Sequence, residues 1–155
     1  MYKKIMVPLD GSELAECVLP HVEAIAKGCK AGDVIFLRVV EPFYPRGGSG
    51  YIYNEEDVKR IESKNKAAAE KYLDQLVSRG NYGSVNVQSE IITGKAVADS
   101  IADYATKNEV DLIVIATHGR SGVSRWVWGS VADRILRSAC VPVLMVRAPG
   151  CIPGI

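Results

Sequence analysis

Apolar runs and amphipathic stretches alternate along the whole chain. Residues 3–9 read as a first strand and residues 12–30 as a helix, in which Pro20 lacks a backbone donor and predicts a kink. Residues 34–40 form a nearly continuous apolar run, a second strand. Residues 55–79 carry Val58, Ile61, Asn65, Ala68, Tyr72 and Leu76 at spacings of three and four, which predicts a long helix. A third strand follows over residues 85–92, then a helix over residues 96–108 that presents Val97, Ile101, Tyr104 and Ala105. Residues 112–117 are a fourth strand, 130–138 a short helix and 141–146 a last strand. Five strands alternating with four helices predict an α/β fold. The sheet is open and mostly parallel, with right-handed crossovers and helices on both faces.

The strands differ in kind. Val34-Ile35-Phe36-Leu37 and Leu112-Ile113-Val114-Ile115 are apolar at every position, as strands buried on both faces are. Val85-Asn86-Val87-Gln88-Ser89 alternates and belongs at a sheet edge. Residues 41–54, with Pro42, Phe43, Tyr44, Pro45, Arg46, three glycines, Tyr51 and Tyr53, make a long loop for a small domain. It leaves the second strand directly and so lies over the carboxyl ends of the strands, where open α/β sheets bind ligands. Its glycines and tyrosines suit a lid.

Composition narrows the class. The 155 residues fit one domain able to bury a core, with 48% hydrophobic and 24% charged residues as in globular proteins. A net charge of +1 gives no global reason to expect nucleic acid or an anionic membrane as partner. The first apolar run is broken by Pro8 and Asp10, too short for a signal-peptide core, and no run approaches the roughly 18 residues of a membrane span. A cytoplasmic location is expected. Cys17, Cys29, Cys140 and Cys151 are irregularly spaced and far from a paired His-Cys pattern, so they read as buried small residues or bystanders.

The chemistry concentrates between residues 115 and 133. The chain leaves a buried strand at Ile115-Ala116-Thr117-His118 and runs through a glycine-rich stretch carrying Gly119, Arg120 and Arg125. It enters a helix at Gly129-Ser130. Glycines admit a ligand close to the backbone, and the free amides and dipole of a helix start favour an anion. A phosphate with arginine partners fits. Ser130 with Asp133 equally fits a capping box that stabilises the helix by about 1 kcal/mol, and the sequence leaves both readings open. Thr93-Gly94-Lys95-Ala96 is no P-loop, because Ser89 stands where its first glycine belongs and Ala96 where its hydroxyl belongs. No Gly-x-Gly-x-x-Gly follows a strand, and no nucleophile elbow is present. Asp10 and His118 are the titratable groups nearest the loop.

The frame from Ala116 through Gly119 to Gly129-Ser130 resembles the signature of the universal stress proteins. In that signature Gly, two residues, Gly, nine residues, then Gly and Ser or Thr form an ATP site. The opening Val7-Pro8-Leu9-Asp10-Gly11-Ser12-Glu13 is similar to the family's first-strand motif. Val110 to Val114 and Val141 to Val146 are similar to its fourth and fifth strands. The likeness runs from residue 2 to about 147, making residues 1–147 the domain and 148–155 a tail. It implies an adenine nucleotide alpha hydrolase-like sheet of order 3-2-1-4-5, with Asp10 and Gly119 on opposite sides of one crevice. Carried over by position, Pro8, Leu9 and Asp10 line the site and Val39 lies beside the adenine. Ile115, Ala116, Gly119, Gly129, Ser130 and Val131 hold ribose and phosphates, with Arg120 as a charge partner. Ala116 departs from the signature's first glycine, and Trp126 and Trp128 stand where smaller aliphatics are usual.

The function implied is ATP binding in a stress-response or signalling role, with Mg or Mn able to bridge the phosphates. Slow ATP hydrolysis and a nucleotide-independent interaction protein of the same fold remain as alternatives. A nucleotidyl-transfer enzyme would carry a Ser-Gly-Gly-x-Asp-Ser loop where Asp10-Gly11-Ser12-Glu13 stands. The final strand, Val141-Pro142-Val143-Leu144-Met145-Val146, is apolar throughout yet falls at the sheet edge, which predicts a homodimer built on it.

Overall fold

The structure, a computed structural model, describes residues 1–45, 53–117 and 129–147. Its strands are β1 (Lys4–Pro8), β2 (Asp33–Val40), β3 (Asn86–Thr93), β4 (Leu112–Ala116) and β5 (Val143–Val146). Its helices are α1 (Leu19–Cys29), α2 (Glu55–Arg79), α3 (Val97–Lys107) and α4 (Ser130–Ser138). The strands form one sheet in the order β3-β2-β1-β4-β5, every neighbouring pair parallel. This is the α/β architecture and strand order expected from the sequence. The apolar strands β2 and β4 are interior and the alternating one, β3, is at an edge.

Alternate residues of the central strands feed two cores. Ile5, Val7, Val34, Phe36, Leu112 and Val114 face α1 and α2, meeting Val22, Ala26, Leu73 and Leu76. Met6, Leu37, Ile113 and Ile115 face α3 and α4, meeting Ala98, Ile101, Ala105, Ala132 and Ile135. Each face removes apolar side chains from water, so neither helical layer is dispensable.

Several details differ from the sequence reading. The expected helix over residues 12–30 is two pieces, a 3-10 turn Ala15–Val18 followed by α1. Pro20 is the second residue of α1, where no intrahelical amide is needed, so it starts a helix instead of kinking one. The buried stripe of α2 is Ala69, Leu73 and Leu76, while Asn65 and Ala68 are exposed, which rotates the expected face. A capping box absent from the reading closes the start of α2. Asp57 N–H donates to Asn54 Oδ1 at 2.8 Å, and Asn54 N–H to Asp57 Oδ2 at 3.4 Å. β5 begins at Val143, with Pro142 just outside the ladder it cannot donate to. Cys17 and Cys29 are half-buried and Cys140 exposed, all three as free thiols, and Cys17 packs against the α1-side core. Cys151 lies outside the described residues.

Candidate functional site

β1 ends early on both of its sides, and each ending has a chemical cause. On the β4 side, pairing runs only through Ile5↔Leu112 and Met6↔Ile113, whereas β4 stays paired to β5 as far as Ala116↔Val146. The next β1 amide on that side belongs to Pro8, which has no N–H to offer. On the β2 side, Leu9 N–H still donates to Leu37 O at 2.9 Å. The next rung of a parallel ladder would carry Val39 N–H to Leu9 O. That carbonyl instead accepts from Arg38 Nη1 at 3.2 Å. The strands diverge there, and a crevice opens between β1, β2 and β4.

Asp10 follows at the mouth of this crevice. Its Oδ1 accepts from Ser12 N–H at 3.0 Å and Ser12 Oγ–H at 2.6 Å, turning the chain about Gly11, whose φ of +82° suits glycine. Ser12 Oγ in turn accepts from Ala15 N–H at 3.2 Å. Asp10 is therefore held in orientation by the turn it creates and is not a helix cap.

The other rim is the start of α4. Gly129 is the N-cap residue and no side chain caps the helix. Ser130 is the first helical residue, and Asp133 pairs with Arg137 at 3.0 Å. The capping-box reading of Ser130 and Asp133 is thereby overturned, since a cap side chain must come from the residue before the helix. The amides of Ser130, Val131 and Ala132 have no backbone acceptor among the described residues. Gly129 N–H donates to Thr117 O at 2.7 Å, and Thr117 N–H to Val146 O at 2.8 Å.

Between these rims lies a cleft of about 930 Å³. Pro8, Leu9, Asp10, Val39, Ile115, Ala116, Gly129, Ser130 and Val131, all singled out from the sequence, line this one cleft. Gly119 and Arg120 lie outside the described residues, as do His118, Arg125, Trp126 and Trp128. Ala116 is only 7% exposed and belongs to the α1-side core as well as to the cleft lining.

Among the lining residues that the sequence reading did not assign to the site are the polar Arg38, Asn65, Tyr72 and Thr117. Arg38 interrupts the apolar run of residues 34–40, and Asn65 and Tyr72 are the polar members of the stripe expected on residues 55–79. Thr117 is the one buried polar residue among those described, at 7% exposure. The Tyr72 hydroxyl is buried without a well-formed hydrogen bond. Burial first, then the Glu16 carboxylate beside it, holds its pKa far above the ordinary 10.0, so it stays a neutral phenol. Phe43 and Tyr44 form an aromatic wall at the mouth. Phe43 N–H donates to Glu62 Oε1 at 3.1 Å, its ring meets Tyr53 edge-on at 5.3 Å, and Lys95 Nζ sits 4.9 Å from the Tyr44 ring centre. The rest of the expected lid, residues 46–52, lies outside the described residues.

The described residues hold no group of three His, Cys, Asp or Glu able to take a metal ion, and no helix among them is long and apolar enough to cross a membrane.

Comparison with known proteins places this geometry. The family model described as "Universal stress protein family" matches residues 1–147. The universal stress protein MJ0531 of Methanocaldococcus jannaschii is 34% identical over 155 residues, spanning 96% of this chain and 84% of that one. The solved structure of protein MJ0577 of the same organism is 29% identical and superposes with a TM-score of 0.70, covering 97% of this chain and 99% of that one. An Arabidopsis thaliana family member, 19% identical with a TM-score of 0.65, covers 96% and 93% and shows the shared fold. The chain belongs to the universal stress protein family.

Proposed function

We propose that the cleft binds an adenine nucleotide, ATP first among them, and that the chain is of the family's ATP-binding branch, acting in stress response or signalling. The observation that carries this reading is the unpaired edge of β2 at Val39. Its backbone N–H and C=O point to the side that β1 has vacated, with no partner among the described residues. A donor beside an acceptor on one extended residue matches the edge of adenine, whose ring nitrogen accepts and whose amino group donates. Guanine presents the reverse pattern at the same edge. The Arabidopsis relative was solved with AMP bound, which supports the same ligand class here.

Asp10 stands between that edge and α4, in reach of ribose hydroxyls. The first-turn amides of α4, with Ser130 Oγ, supply the phosphate end, where the helix dipole favours negative charge by about 0.3–1 kcal/mol at an exposed site. Gly119 and Arg120 complete that end in this reading. Mg or Mn would be carried on the phosphate oxygens.

Titration calorimetry on nucleotide-free protein, with ATP and GTP and with and without magnesium, tests the reading. The expected result is micromolar or tighter binding of ATP, at least about tenfold weaker for GTP, since one exchanged donor–acceptor pair is worth about 1.4 kcal/mol or more. No heat with ATP at high micromolar protein refutes it.

A further inference from the structure

Arg38 lines the cleft beside the vacated edge of β2, and it has an unusual task. The register makes Val39 N–H the natural donor to Leu9 O, the next rung after Leu9 N–H to Leu37 O. Arg38 reaches around the strand end and donates to that carbonyl through Nη1 at 3.2 Å. A buried or half-buried carbonyl seeks a donor, so an occupied Leu9 O removes the reason for Val39 to close the rung. Pro8 prevents the same closure on the β4 side by lacking a donor. The two residues together keep β1 from zipping onto its neighbours.

We propose that Arg38 is a positioning residue that props the cleft open. By capping Leu9 O it leaves the Val39 N–H directed into the cleft and available to a ligand's hydrogen-bond acceptor. Its role is to free a backbone group on the base-binding side, not to neutralise phosphate. The ligand half of this statement rests on the adenine-nucleotide reading above. The backbone half stands without it.

Amide hydrogen exchange of the ligand-free full chain, read by NMR, tests the backbone half. In the wild type, Val39 N–H exchanges at least about tenfold faster than Leu37 N–H, which the register pairs with β1. In Arg38→Met, Val39 N–H slows at least about tenfold as it takes over Leu9 O, while Arg38→Lys, which keeps a donor, stays close to the wild type. Equal protection of Val39 and Leu37 in the wild type overturns the proposal, even if Arg38→Met does not fold. So does unchanged exchange in a folded Arg38→Met. Calorimetry with ATP and inorganic tripolyphosphate tests the ligand half. Arg38→Met is expected to weaken ATP about tenfold and leave tripolyphosphate unchanged. A parallel loss for both probes makes Arg38 a phosphate contact and overturns it. If ATP binds neither chain, the nucleotide reading fails while the exchange data still decide the role of Arg38.

Discussion

Gly129 N–H donates to Thr117 O across 2.7 Å, so the chain leaves the end of β4 and returns to it within one hydrogen bond. Thr117 is itself fixed, its N–H donating to Val146 O on β5 at 2.8 Å. The start of α4 is thereby hung on the β4–β5 ladder and cannot drift from the cleft without breaking sheet bonds. A helix N-terminus anchored in this way presents its amides at a set distance from Val39 across the crevice. Fixed spacing between two polar ends is what recognition of an extended ligand requires.

Gly129 has φ −51° and ψ 130°, a conformation open to any L-residue. Glycine is therefore not needed there for the backbone, and what it provides is room on the cleft wall. Gly129→Val is expected to fold normally by circular dichroism and to lose ATP affinity by about 10- to 150-fold. That range corresponds to about 1.5–3 kcal/mol for contacts to a charged group held off by the new side chain. Wild-type affinity in a folded variant would place the phosphates elsewhere.

Lys30 and Glu109 adopt φ of +51° and +53° at the ends of α1 and α3. Each sits in the same closing turn: Ala31 N–H returns to Ala26 O at 2.9 Å, and Val110 N–H to Ala105 O at 3.0 Å. Glycine takes this conformation without the steric cost a Cβ brings. Lys30→Gly and Glu109→Gly are each expected to stabilise the fold by about 0.5–1 kcal/mol, read as a higher denaturant midpoint at constant slope. A lower midpoint would mean that the long side chains contribute packing that outweighs the backbone relief.

The sheet was legible in the sequence because residues 34–37 and 112–115 are apolar at every position, as strands covered on both faces are, and are bounded by turn residues and helical patterns. The turn between β1 and the 3-10 turn Ala15–Val18 was not. Asp10 and Ser12 are both good caps, and the pattern could not show that the Asp10 carboxylate is taken up by Ser12. The helix from Ser130 to Ser138 was legible, but whether Ser130 caps it or lies in its first turn was not, since a hydroxyl at a helix start fits both positions. The cleft residues near Gly129 and Asp10 were legible as motif. Arg38 was not, because its function depends on where β1 stops, a non-local fact set by Pro8 and by the register of three strands.

At the opposite end of the sheet, Asp111 Oδ2 accepts from Lys3 N–H and Lys4 N–H, both at 2.8 Å, joining the starts of β1 and β4. The Lys4 amide and then the Lys3 amide hold the carboxyl below its ordinary 3.8. A lowered folded-state pKa means that the unfolded chain binds the proton more readily. The contribution is therefore complete above the ordinary value and is lost as pH falls through the folded-state value. Asp111→Asn is expected to cost about 0.5–1.5 kcal/mol at pH 7, the modest figure reflecting exposure. The gap between the two chains should close below about pH 4 in urea titrations. A gap independent of pH would show that the amide exchanges hydrogen bonds with the two N–H groups as well as the carboxylate does.

The last expectation concerns β5. The sheet order leaves it at an edge, and Thr117 N–H to Val146 O and Ile113 N–H to Pro142 O show which backbone groups face inward. By alternation, the amides and carbonyls of Val143 and Met145 face outward. Leu144 is 37% exposed on the same short strand, so the edge joins ladder groups without a partner among the described residues to apolar surface. Such an edge invites a second strand, and pairing with its own copy about a two-fold axis satisfies both at once and closes the assembly. We propose a homodimer through β5. Light scattering at micromolar concentration should give twice the monomer mass. Leu144→Lys should return a folded chain to the monomer mass, because two like charges would face one another near the axis. A monomer in the wild type, or a dimer that survives both Leu144→Lys and the backbone block Met145→Pro in folded chains, would exclude this strand as the interface.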